Sequence, residues 1–139
     1  MRNFVFYISL VVGLNAFAQT KPQVIKIKKG LKQSETNAVV TLCDKYYGDI
    51  KADDIYKNNQ LKISNNLLGL KIISFNISFK RGPGAYSEYT TANDTLSLEI
   101  RKDLLTAEIN GRVFIVGIKA VSKNNDTLYL NPIILRIVN

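Results

Sequence analysis

The sequence contains no histidine. That absence removes the commonest general base and metal ligand, and with them any serine–histidine or cysteine–histidine nucleophile pair. A single cysteine, Cys43, excludes an internal disulfide. With no imidazole to take its proton, the thiol reads as a small buried apolar side chain and not as a nucleophile. No apolar run reaches the roughly 20 residues needed to cross a hydrocarbon core of about 30 Å. Solenoid repeats and low-complexity tracts are missing too. Arg81-Gly82-Pro83-Gly84 lacks the lysine and hydroxyl residue of a phosphate-binding loop and reads as a turn. No catalytic residue, metal ion or cofactor is expected, and the chain is read as a non-enzyme.

The N-terminus has the layout of an export signal. Arg2 supplies a basic start, Phe4 to Leu14 an apolar run and Ala16-Phe17-Ala18 a cleavage site of the A-x-A kind. Residues 1–18 are therefore expected to be removed, leaving a mature chain that begins at Gln19 and has no transmembrane segment. Loss of Arg2 changes the net charge from +8 to +7. Five lysines (Lys21, Lys26, Lys28, Lys29 and Lys32) lie in one short stretch, where they either guard an edge strand or face an anionic partner. In an exported protein that partner is an acidic protein surface or lipopolysaccharide rather than nucleic acid.

Lys71 to Lys80 reads K-I-I-S-F-N-I-S-F-K, and Ile73, Phe75, Ile77 and Phe79 alternate with polar residues. This period of two is that of a strand with one buried face, and at 100° per residue no helix gathers the same four side chains. Further strands are expected at Gln23–Lys29, Thr36–Cys43, Gln60–Ser64, Ala85–Thr91, Arg112–Ser122 and Thr127–Val138. On the Arg112 strand, Phe114, Val116, Ile118 and Ala120 are expected to share one face. Asp49 to Tyr56 reads as a helical turn or two. Ser97 caps a helix from about Leu98 to Ile109, with Leu98, Arg101, Leu104, Leu105 and Ile109 as one stripe. Short strands joined by turn signals specify a mainly β fold, an antiparallel sandwich. Residues 19–46 form an N-terminal extension with its own strands and 47–139 the sandwich, the whole making one globular unit.

From about Tyr47 to Ile137 the chain resembles the C-terminal domain of the gliding-motility protein GldM, a component of the type IX secretion and gliding motor. The resemblance rests on Gly48-Asp49-Ile50, on Ile72-Ile73-Ser74-Phe75-Asn76-Ile77-Ser78-Phe79, on Val113-Phe114 with Ile118-Lys119-Ala120, and on Leu130-Asn131-Pro132-Ile133-Ile134-Leu135-Arg136-Ile137. It implies an immunoglobulin-like β-sandwich that works as an interaction module. Gly117 stands where that family's strand usually carries an acidic residue, and a cleavable signal stands where it has a membrane anchor.

An exported module is expected in the periplasm or at the cell surface, docked on an envelope or secretion-system protein, with a homodimer as a further arrangement. Arg81, Tyr86, Tyr89, Lys123 and Asn124 are the expected contacts, because they lie at hairpin ends or on the short partner strand. Tyrosines are favoured at interfaces, where they bury area at low entropic cost. An adhesin-like alternative uses Lys26, Lys28, Lys29 and Lys32 to bind an anionic glycan or lipopolysaccharide. A third reading places hydrolytic chemistry on Asp49, Asp53 and Asp54, which requires those acids to share a cleft.

Overall fold

A computed structural model of the chain describes residues 38–139. The expected signal segment, the Gln23–Lys29 strand and the lysines from Lys21 to Lys32 lie outside the described residues. Ten elements follow in order: β1 (Val39–Leu42), β2 (Tyr47–Lys51), α1 (Ala52–Lys57), β3 (Leu61–Ser64), β4 (Lys71–Gly82), β5 (Ala85–Thr91), α2 (Leu98–Leu104), β6 (Arg112–Val121), β7 (Thr127–Tyr129) and β8 (Ile133–Val138).

The fold is mainly β, and it is a sandwich of unequal layers. One layer is a six-stranded sheet in the order β2-β8-β6-β4-β5, with β7 beside β8 on β6. Every pairing in it is antiparallel except β2 with β8. The second layer is the antiparallel β1–β3 ribbon together with two short helices, which touch each other while α1 rests on β2 and α2 on β4. Between the layers lies one apolar cluster to which Val40, Leu42, Ile55, Leu61, Ile100 and Leu104 contribute from above and Phe75, Ile77, Phe79, Ile115, Ile133 and Leu135 from the sheet.

Alternation in β4 puts Phe75, Ile77 and Phe79 inside as the sequence requires, but the phase breaks at the start of the strand. Ile72 is buried and Ile73 only half-buried. The cause is a pair of compensating irregularities between β4 and β6: Ile72 faces Ala120, Ser74 faces Lys119 and Asn76 faces Val116, so β4 carries one extra residue and β6 another further along. The extra residue on β6 falls at Gly117, whose φ of +60° is left-handed. Before that point Val113 and Ile115 face the core, and after it Ile118 and Ala120 do. Phe114 and Val116 therefore point out of the sandwich while Ile118 and Ala120 point in, which corrects the expectation that the four share one face.

An L-residue pays roughly 1–2 kcal/mol at such a φ. A Cβ at Gly117 would meet nothing closer than Asn76 Nδ2 at 3.4 Å, so the backbone carries the whole effect. Gly117→Ala is expected to lower the unfolding free energy by about that amount in urea titrations. An unchanged midpoint would mean that the bulge flattens freely.

The second helix also differs from expectation. Ser97 caps it, its Oγ accepting from the Ile100 N–H at 3.3 Å. The helix stops at Leu104, however, because the next N–H groups fold back three residues, Thr106 to the Asp103 carbonyl at 2.9 Å and Ala107 to Leu104 at 3.0 Å. Its buried residues are Ile100 and Leu104, while Leu98, Leu105 and Ile109 are exposed. Pro132 interrupts the last strand, separating β7 from β8, and both pair with β6.

Candidate interaction surface

The five expected contact residues fall at two ends of the molecule. Lys71 pairs with Val121, so Lys123 and Asn124 sit beside the start of β4, whereas Arg81 and Tyr86 flank its finish and Tyr89 lies opposite Ile77. Ten residues of strand rise separate those ends by roughly 30 Å. Lys123 lays its aliphatic stem over Gly69, where a Cβ would collide with Lys123 Cε. The Asn124 N–H donates to Ser122 Oγ at 3.2 Å within its own turn.

At the other end the side chains converge on an aspartate of α2. The Tyr89 hydroxyl donates to Asp103 Oδ2 at 2.7 Å, Ser87 Oγ donates to the same oxygen, and the Arg81 guanidinium lies 3.3 Å from Oδ1. The Tyr89 ring also stacks on Phe79, with centroids 6.4 Å apart. Burial pushes the Asp103 carboxyl up, but the hydrogen bonds from Ser87 and Tyr89 and the Arg81 charge outweigh it and hold the group below the usual carboxylate range. The same bond to Asp103 raises the Tyr89 phenol. This network fastens α2 to the inner side of β5, so Tyr89 is held by the fold, while the Arg81 side chain stays 46% exposed. Tyr86, 72% exposed on the outer side, remains available.

The acids do not share a cleft. Asp49 on β2 receives both Nε and Nη2 of Arg136, at 2.7 and 2.8 Å, and that hydrogen-bonded guanidinium lowers its carboxyl from the ordinary value. Asp53 and Asp54 are exposed in the first turn of α1, and Asp54 borders a different hollow from Asp49. Among the described residues no group of three histidine, cysteine, aspartate or glutamate side chains is placed to hold a metal ion. Cys43 joins β1 to β2 in a tight turn, with φ of 52° at Cys43 and 61° at Asp44, closed by Leu42–Lys45 backbone bonds of 2.9 and 3.0 Å. Its Sγ donates to the Asn58 carbonyl at 3.3 Å, and burial, then Asp54 and Asp44, push the thiol up. That opposes thiolate formation.

What the sequence did not reveal is the outer face of the large sheet. The registers place Tyr47, Ile134, Phe114 and Ser78 in one row across β2, β8, β6 and β4, and Asp49, Arg136 and Arg112 in the next. Val116 continues the apolar strip, and Tyr129 stands beyond it. Tyr47, Tyr129, Phe114 and Val116 are all exposed. A mid-strand glycine was the available signal, since it marks a bulge that reverses which side chains face inward. Lys26, Lys28, Lys29 and Lys32 lie outside the described residues. No family model matches the chain, and no curated protein matches it.

Proposed function

We propose that the chain is an exported, non-enzymatic protein–protein interaction module of the cell envelope, similar to the C-terminal domain of GldM and linked to gliding motility or type IX secretion. The motifs from Gly48 to Ile137 support the family likeness. One structural observation carries the binding role: a strip of exposed apolar and aromatic side chains, Tyr47, Phe114, Val116 and Tyr129, runs over a sheet face that no other described element covers. Exposed aromatic groups on a flat sheet bury large area at small entropic cost when a partner protein arrives.

Placing a photo-reactive benzoyl-phenylalanine at Phe114 and, separately, at Tyr47 tests this in the native envelope. The expected result is a discrete adduct with an envelope protein from both positions and none from Lys123, at the far end of the sheet. Absence of adducts from both outer-face positions overturns the assignment of the surface.

A further inference from the structure

On the outer face Arg112 of β6 stands directly opposite Arg136 of β8. Like charges in that cross-strand relation repel each other, and only Arg136 has a carboxylate, that of Asp49. Arg112 is exposed, and among the described residues no acid pairs with it. Both arginines border an open hollow of about 580 Å³, which Lys45, Tyr47 and Ile134 also line. The Lys45 ammonium donates to the Asp49 carbonyl at 2.5 Å, which anchors a third positive charge there. The hollow thus holds two guanidinium groups and an ammonium against one carboxylate, and Ile134 in its lining pairs with Phe114.

Building on the interaction role proposed above, we infer that this hollow receives an acidic segment of the partner protein. An aspartate or glutamate of that segment pairs with Arg112, and a neighbouring apolar side chain covers Ile134 and Phe114. A guanidinium binds a carboxylate through two parallel N–H···O bonds, a geometry lysine does not reproduce. The incoming carboxylate also relieves the repulsion between the two arginines. An anionic lipid surface fits less well, because Asp49, Glu88 and Glu108 interrupt the positive charge on this side of the sheet.

The test uses the mature chain and a fluorescein-labelled peptide of alternating glutamate and leucine, read by anisotropy, with a lysine–leucine peptide and phosphatidylglycerol vesicles as comparisons. The glutamate–leucine peptide is expected to bind, to weaken as ionic strength rises through the range where the Debye length falls from about 30 to 8 Å, and to shift amide resonances of β2, β6 and β8. Arg112→Glu is expected to weaken it by about tenfold or more, and Arg112→Lys to weaken it less. Lys123→Ala leaves it unchanged. Equal binding by Arg112→Glu, resonance shifts elsewhere, or binding of the vesicles and not the peptide overturns the inference. Cross-links from Phe114 that survive in Arg112→Glu leave the interaction module standing while the acidic segment falls; their absence from the unaltered chain removes the module as well.

Discussion

Replacing Phe75 by alanine is expected to remove about 3–5 kcal/mol of stability, the cost of deleting a buried phenyl ring together with the cavity it leaves. Phe75 is 1% exposed and stands on β4, which has β5 on one side and β6 on the other, so the surrounding strands are held in register and collapse poorly into the vacancy. Domains of this size are stable by only about 5–15 kcal/mol, so the variant sits near the limit of folding. Phe75→Leu keeps more of the volume and should cost distinctly less. Phe114→Ala, on the same sheet but 36% exposed on its outer face, should cost less than half as much as Phe75→Ala. Urea titrations of the three variants check the order. A Phe75→Ala loss no larger than that of Phe114→Ala would remove the inner and outer faces assigned here.

Those two phenylalanines also show where the sequence could be read and where it could not. Phe75, Ile77 and Phe79 alternate without interruption, so period two alone placed them in the core. Phe114 was misplaced because a period is extrapolated from neighbours, and Gly117 adds a residue that shifts the phase between Ile115 and Ile118. The final strand was legible in outline, but it is divided around Pro132 into β7 and β8. The parallel docking of β2 on β8 was not legible, since pairing between Tyr47 and Ile134 depends on a contact far apart in the chain and on no local pattern. In α2 the cap at Ser97 was visible, but the early end was not, because it depends on backbone bonds from residues 106 and 107.

The site followed the same division. Turn chemistry located Arg81, Tyr86, Lys123 and Asn124 at strand ends, yet gave no sign that Arg81 and Tyr89 meet Asp103 across a helix and a hairpin. Arg112 and Arg136 each look like ordinary surface arginines in sequence. Only the β6–β8 register makes them a pair.

Asp103 should produce the second large effect. Asp103→Ala strands the Ser87 and Tyr89 hydroxyl groups, and Ser87 is 6% exposed, so about 2–3 kcal/mol is expected for the loss of charge-assisted bonds at that site. The Arg81 contact adds little, because the side chain of Arg81 is 46% exposed. Asp103→Asn keeps the shape and removes the charge, which isolates the pH dependence. The folded carboxyl lies below its unfolded value of about 3.9, so its stabilisation is fully present above that pH and disappears as pH falls through the folded value. The stability gap between the unaltered chain and Asp103→Asn should therefore be widest near neutrality and close in acid. At the alkaline end the sign reverses. The Tyr89 phenol is raised by its bond to Asp103, so its contribution holds below about pH 10 and is lost as pH climbs through the higher folded value. Urea midpoints across pH for the unaltered chain, Asp103→Asn and Tyr89→Phe would give parallel curves if α2 were held only by Ile100 and Leu104. Converging curves in acid, with the alkaline loss absent from Tyr89→Phe, mean that a polar clasp fixes the helix to the hairpin that presents Tyr86.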